Sequence, residues 1–415
     1  MSESLSLHRL GRQAGQRWAQ LAVSLLTERL ERCGVSEIQV RAGDSSYMRL
    51  GVPRELAEAS SHDQVPVPRI TLNRFRAVRR GIKGGLLGWA ESYIDDEWQC
   101  DDLRSLMQWA MTNEKALEKA FQPGSIRRVW DRIAHRLNDN TKRGSKRNIA
   151  FHYDLGNDFY SRWLDKTMTY SSALFSHEEE DLETAQLNKY DALIDAMKLI
   201  PGDRVLEIGC GWGGMGERLL SREPEASWHG ITLSREQLAY TERRLAHFGD
   251  KAKATYTDYR DLDGTFDAIV SIEMLEAVGE ANWPTYFQQL HERLIPGGRA
   301  AIQVITIADD RFESYREGAD FIQRYIFPGG MLPSPQKMEE QIDAAGLKLV
   351  EQRSFGRDYA RTLNRWHQAF NSQWSSIEAQ GFDERFRRLW NYYLCYCEAG
   401  FNAGSIDVRF YIIER

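Results

Sequence analysis

From about residue 150 onward, short apolar runs alternate with longer segments whose apolar positions recur every three to four residues. The runs at 205–208, 228–233, 254–257, 266–271 and 299–305 predict strands. The segments at 182–199, 214–221, 234–246 and 283–294 predict helices. Ser234 reads as the N-cap of one of them, with Gln237 at the capping-box position. Strands that are apolar throughout are buried on both faces. This predicts an α/β fold with a doubly wound, mostly parallel sheet and ligands at the strands' carboxyl ends. An insertion at 306–332, a helix–strand pair at 335–355 and an aromatic-rich helical stretch at 362–403 follow. Ahead of the sheet, Leu10, Trp18, Leu21, Leu25 and Leu30 mark an amphipathic helix at 8–32, and 37–40 and 47–50 read as short strands. The expected organisation is a smaller α+β domain at 1–125, a linker at 126–147 and a catalytic domain at 148–415.

Charge changes the picture of that first domain. The chain of 415 residues has a net charge of −6, which argues against an electrostatic nucleic-acid binder. Yet 69–83 carries Arg69, Arg74, Arg76, Arg79, Arg80 and Lys83, and 126–147 carries Arg127, Arg128, Arg132, Arg136, Lys142, Arg143, Lys146 and Arg147. Such runs are attracted to anionic surfaces, at about 1 kcal/mol per well-placed cation. The second has few aromatics on which bases would stack. A phospholipid headgroup layer is therefore the expected partner, with Arg127, Arg128 and Arg132 as headgroup contacts. No run approaches the roughly 20 apolar residues of a bilayer span, and the start of the chain lacks the apolar core of a signal peptide. Five cysteines without a CxxC pair fit a reducing compartment. The expected location is cytoplasmic, peripheral to the inner face of a membrane.

The candidate chemistry centres on VLEIGCGWGG at 205–214, an apolar strand entering a glycine turn. Gly209, Gly211, Gly213 and Gly214 let the backbone turn sharply and approach a ligand. The turn lacks the Lys-Ser/Thr of a phosphate cradle. Glu207 before it suits a cationic ligand, and S-adenosyl-L-methionine (SAM) carries both a sulfonium and an ammonium group. Thr232, Ser234 and Gln237, after the second strand, are candidate cofactor residues, with Thr232 and Gln237 for the ribose hydroxyls. Asp258 and Tyr259 follow the third strand, where adenine would lie. Glu276, after the fourth strand, is expected to point at the reaction centre, while Glu273 reads as structural or as a SAM-side contact. The Asn/Asp-Pro-Pro-Tyr/Phe motif of nucleic-acid methyltransferases is missing at this point, where EMLE stands instead.

Several further motifs occur in a fixed order: KRNIAFHYDLGNDFY at 146–160, MTYSSALF at 168–175, GITLS at 230–234, EAVG at 276–279, YIFPGG at 325–330, LPS at 332–334 and GRDYARTL at 356–363. With the glycine turn, these resemble the cyclopropane-fatty-acyl-phospholipid synthases and the related mycolic acid cyclopropane synthases. The resemblance runs from about 84 to the C-terminus. It implies a class I SAM-dependent methyltransferase acting on the cis double bond of an unsaturated acyl chain of a membrane phospholipid. It also implies a homodimer supported by the N-terminal domain. In the family's chemistry the alkene takes the methyl of SAM, a carbocation forms, and a bound bicarbonate removes a proton so that a ring closes. The cage for that ion falls on Ser172, Glu276, Gln303, Ile305 and Tyr359, with Tyr170 and Ser171 on the cofactor side.

The sequence departs from the family pattern at three positions. Tyr-Ser-Cys is here Tyr170-Ser171-Ser172, Glu-His-Val-Gly is Glu276-Ala277-Val278-Gly279, and the strand histidine is Gln303. A thiol and two imidazoles are lost, while Glu276 and Tyr359 are kept. Ser and Gln still donate hydrogen bonds. Methyl transfer is expected to survive these changes. The product is expected to be either a ring or a methyl-branched or methylene chain. The late aromatics Phe370, Trp374, Trp390, Tyr392, Tyr393, Tyr396 and Phe401 are expected to line an acyl tunnel. A non-catalytic lipid-binding protein on the same scaffold is the remaining reading, which the intact glycine turn and Glu276 oppose.

Overall fold

Alternating burial along short strands builds a small sheet before the large one. The computed structural model describes residues 21, 23–53, 66–121, 155–318 and 320–415. The first basic run is described, but Arg127, Arg128, Arg132 and the rest of 126–147 lie outside these residues, as does most of 8–32; positions 23–32 are helical. Strands β1 (Ile38–Ala42), β2 (Met48–Leu50), β3 (Arg69–Leu72) and β4 (Trp98–Cys100) pair in the order β2-β1-β3-β4, with β1 and β3 parallel. Ile38, Val40 and Ala42 point to one face and are buried, as a period of two requires. Helix Phe75–Ile94 follows β3 and breaks at Gly85, whose φ of +63° is open to glycine.

The chain forms two compact units, and the linker expected between them at 126–147 lies outside the described residues. Phe382–Ala403 belongs with the N-terminal unit and not with the sheet that flanks it in sequence. The reason is a set of anchors along helix Glu384–Ala403. Arg104 forks onto the buried Glu398 carboxylate. Arg388 donates to Trp98 O at 2.7 Å and stacks over the Tyr93 ring at 4.0 Å. Tyr392 packs on Tyr93 at 5.8 Å. Trp390, Tyr392, Tyr393, Tyr396 and Phe401 are therefore residues of the smaller unit. Within that unit the first basic run is partly neutralised. Arg80 bonds Glu91, Asp95 and Glu97, and Arg76 pairs with Glu97, while Arg74, Arg79 and Lys83 are exposed.

The larger unit is the doubly wound sheet. Its strands are β5 (Arg204–Ile208), β6 (Ser227–Thr232), β7 (Ala252–Tyr256), β8 (Phe266–Ile272), β9 (Leu294–Ile307), β10 (Lys348–Ser354) and β11 (Ile406–Glu414). They pair in the order β7-β6-β5-β8-β9-β11-β10. The first five are parallel, and β11 runs antiparallel to both its neighbours. Val205, Leu206, Ile208, Ile269 and Val270 are fully buried, so the continuous apolar runs do lie between two helical layers. The fifth strand, expected at 299–305, begins earlier, and PGG at 296–298 lies inside β9. The register shift opposite Phe266 and Ala268 takes up those residues. Strand β11, which was not expected, fills the sheet between β9 and β10. The order reverses at β5 and β8, which puts the ligand crevice at the carboxyl ends of these two strands.

Candidate active site

The carboxyl end of β5 runs into a turn in which every second residue is a left-handed glycine: Gly209 at φ +85°, Gly211 at +52° and Gly213 at +79°. The N–H groups of Gly209 and Cys210 both donate to Ile231 O at 3.0 Å, which ties the turn to β6. Thr241 donates to Gly211 O at 3.1 Å, and Arg244 donates to Thr167 O and Trp212 O while gripping Glu217. A Cβ on Gly213 would meet Thr241 Cγ2 at 2.9 Å, and one on Gly214 would meet the Tyr190 hydroxyl at 2.8 Å. At Gly211 a Cβ meets nothing within 4 Å. The turn is thus closely packed behind and open at Gly211, the cradle that a close-lying ligand needs. Residues at this strand end fit SAM.

The expected cofactor residues divide. Thr232 donates to Gln237 Oε1 at 3.0 Å, Ser234 N donates to Thr232 Oγ1, and Gln237 N donates to Ser234 Oγ. Ser234 is therefore the cap of helix Arg235–Leu245, and Thr232 and Gln237 are buried partners beside it. Asp258 is held in a fork by Arg260 at 2.8 and 2.7 Å, and Tyr259 packs on Tyr286 at 5.7 Å. Glu207 stands in β5, just before the turn. It is buried, accepts from the Trp228 indole at 2.8 Å, and burial pushes its pKa up to about 8. Ser171 accepts from Lys189 Nζ at 2.7 Å, and Tyr170 lies in an aromatic cluster.

At the end of β8 the structure departs from expectation. Ser172, Gln303 and Tyr359 do converge, but on Glu273 and not on a space beside Glu276. The Ser172 N–H donates to Glu273 Oε1 at 2.8 Å, Gln303 Nε2 donates to the same oxygen at 2.7 Å, and the Tyr359 hydroxyl donates to Oε2 at 2.7 Å. Glu273 was expected to be structural or a SAM contact. It lies at the centre of the polar cluster because it ends β8 at φ +49°. Its own N–H donates to Gln303 O at 2.8 Å. Burial raises its pKa, opposed by these three donors and by the charge of Lys189. Three donors on one carboxyl group favour the ionised form. Glu276, three residues on, accepts the Ile305 N–H and has a buried second oxygen without a partner in the protein. Burial, with the charge of Glu273 behind it, pushes its pKa to about 8, which keeps Glu276 protonated at neutral pH. Bicarbonate, which the resemblance implied, does not fit these residues, because Glu273 takes the donors the ion would need.

Lys189 was missed entirely by the sequence reading. On helix Leu182–Met197 it is fully buried, and burial lowers its pKa while Glu273, Asp165 and Glu207 oppose the shift. A lysine on the apolar face of an amphipathic helix was the available signal. Beside this polar group stands an aromatic wall. Tyr170 lies 5.3 Å from Tyr160, 5.6 Å from Trp163 and 5.2 Å from Trp366, and Trp366 lies 6.1 Å from Tyr359. Of the late aromatics, Phe370 and Trp374 belong to this unit and pack against each other at 5.7 Å. Such a site combines buried carboxyl groups with ring faces that stabilise cations.

The sheet order and the glycine cradle define a class I SAM-dependent methyltransferase. Comparison with known proteins narrows this. The model of the mycolic acid cyclopropane synthetase family matches residues 140–411, and the chain belongs to that family. It is 38% identical over 360 residues to the tuberculostearic acid methyltransferase UfaA1 of Mycobacterium tuberculosis, covering 84% of this chain and 83% of the relative. It is 34% identical over 339 residues to the cyclopropane-fatty-acyl-phospholipid synthase of Escherichia coli, covering 81% and 85%. Among solved structures it resembles the cyclopropane synthase MmaA2 of M. tuberculosis, with a TM-score of 0.61 and 30% identity over 65% of this chain and 98% of that one.

Proposed function

We propose that the protein methylates a cis double bond in the acyl chain of a membrane phospholipid. The observation that carries this reading is the pairing of an aromatic wall (Tyr160, Trp163, Tyr170 and Trp366) with the buried carboxyl groups Glu273 and Glu276. An alkene is a weak nucleophile whose methylation leaves a carbocation. A site for it has to exclude water, face the cation with π-electrons and hold a base. SAM supplies the methyl group. The turn 209–213 holds its amino-acid end, with Thr232 and Gln237 near the ribose and Asp258 and Tyr259 near the adenine. Tyr359 and Gln303 fix the Glu273 carboxylate, and Glu276 stays neutral. The N-terminal unit and the basic run at 126–147 dock the enzyme on the inner face of the membrane as a peripheral dimer, with Arg127, Arg128 and Arg132 on lipid phosphates. Among the described residues no helix is long and apolar enough to cross a bilayer, which is consistent with peripheral attachment.

The names of the relatives include ring-forming synthases and a methyltransferase, so the end product is read from chemistry. Replacement of a thiol and two imidazoles by Ser172, Ala277 and Gln303 reshapes the wall around the cation. A methyl-branched or methylene chain then stands beside a cyclopropane as the outcome. Mass spectrometry of lipids from cells expressing the enzyme on methyl-deuterated methionine separates them. Loss of one methyl deuterium marks a ring or a methylene, and retention of all three marks a branch with a shifted double bond. Unlabelled acyl chains would sink the proposal.

A further inference from the structure

We propose that Glu273 is the catalytic base of this enzyme, a built-in carboxylate in the seat that the family resemblance gives to a bicarbonate ion, and that the enzyme turns over without that ion. The inference rests on the alkene-methylation reading above. It stands on geometry. An oxyanion in this seat needs donors on both oxygens, and Glu273 has them: Ser172 N–H and Gln303 Nε2 on Oε1, Tyr359 OH on Oε2. A free ion would have to displace a covalently tethered carboxylate from all three, at the entropic disadvantage of any untethered ligand.

A second observation is the backbone. Glu273 sits at φ +49°, a region in which a non-glycine residue is strained by roughly 1–2 kcal/mol. The conformation turns the side chain back to the end of β9, where Gln303 lies in register with Ile272. Lys189, whose pKa burial lowers to about 7, favours the ionised carboxylate when it is protonated, and it is held by Ser171, the neighbour of Ser172. Glu276, although close, lacks such donors: one N–H reaches it and its other oxygen has no partner. Two carboxyl groups in one buried site thus have unequal surroundings: three donors favour the ionised form of Glu273 against its burial, while Glu276 has no such set.

The step balances with these groups. The π pair of the alkene forms the new C–C bond to the methyl carbon as the S–CH3 bond breaks, with its electrons left on sulfur. The neighbouring chain carbon becomes the cation. Glu273 then takes one proton, either from the new methyl, whose C–H pair closes the ring, or from a carbon next to the cation, whose C–H pair becomes a double bond. The proton stays on Glu273 until product leaves and solvent removes it.

The test uses the full-length enzyme, unsaturated phospholipid vesicles and buffers freed of carbon dioxide. Wild type is expected to bind no ¹³C-bicarbonate saturably by NMR and to change rate by less than about twofold when the ion is added. Glu273→Gln should lower kcat by about 100-fold or more, as loss of a general base does, with SAM affinity by calorimetry within about threefold. Glu273→Gly relieves the backbone at φ +49° and frees the three donors, so it should fold, bind bicarbonate and recover at least about tenfold in rate with bicarbonate or formate. Saturable bicarbonate binding to wild type, its acceleration by the ion, or near-normal turnover of both variants would overturn the assignment. So would a Glu273→Gly protein that neither binds nor answers to the ion. A wild type that binds SAM but methylates no lipid would instead contradict the alkene-methylation reading, and the bicarbonate titration would still decide who occupies the seat.

Discussion

At the scale of single residues the site rests on a few buried groups in unequal surroundings. Glu276 has an ordinary carboxyl pKa of 4.5 that burial raises to about 8. Between those values the folded protein keeps a proton that the unfolded chain has lost, so its contribution to stability falls as pH rises through that window. Glu276→Gln should therefore flatten the pH dependence of unfolding free energy between about pH 4.5 and 8, by at most about 1.4 kcal/mol per pH unit. Chemical denaturation at several pH values reads this, and an unchanged slope would show that Glu276 is ionised in the fold. Gly211 faces open space at φ +52°, so Gly211→Val should fill the cradle and lower SAM affinity at least about 100-fold, at a stability cost of roughly 1–2 kcal/mol. Calorimetry that finds normal affinity would move the ligand away from this turn. The glycine turn was legible because residue type and spacing carry its backbone demand. The role of Glu273 was not, because it depends on one positive φ and on partners from three distant segments, at 172, 303 and 359. Lys189 was hidden because it stands alone on an apolar helix face.

Elements were more legible than partners. Apolar runs marked the five parallel strands because burial on both faces leaves a continuous signal. Strand β11 escaped because its polar residues Asp407 and Arg409 interrupt the run and its neighbours in the sheet lie far away in sequence. The start of β9 was misplaced because PGG has the chemistry of a turn, and only the register opposite β8 shows that the strand already runs through it. Ser234 caps helix Arg235–Leu245 as expected, but the Gln237 side chain turns to Thr232 and does not close the capping box. Ser234 serves that helix, and Thr232 and Gln237 bond each other beside it. Ser234→Ala should thus cost about 1 kcal/mol in stability and change SAM affinity by less than about threefold. A collapse in affinity at unchanged stability would instead make Ser234 a direct cofactor contact.

Across the whole molecule, the chain's linear order hides its division. Helix Glu384–Ala403 follows the methyltransferase sheet in sequence yet belongs to the N-terminal unit, held there by Arg104 and Arg388. Arg104→Ala removes the fork onto the buried Glu398 carboxylate and should lower the stability of that unit by about 1–3 kcal/mol, seen as an early transition in a thermal melt. Charge reversal at Arg127, Arg128 and Arg132 should weaken binding to anionic vesicles, with little change toward a short soluble substrate. Equal vesicle binding by wild type and variant would take those residues out of the docking surface. The central claim, methyl transfer to an unsaturated acyl chain, is tested most directly with purified enzyme, methyl-labelled SAM and two sets of vesicles that differ only in the presence of a cis double bond. The account predicts label in the acyl chains of the unsaturated vesicles alone; equal label in both sets, or label confined to headgroups, would contradict it.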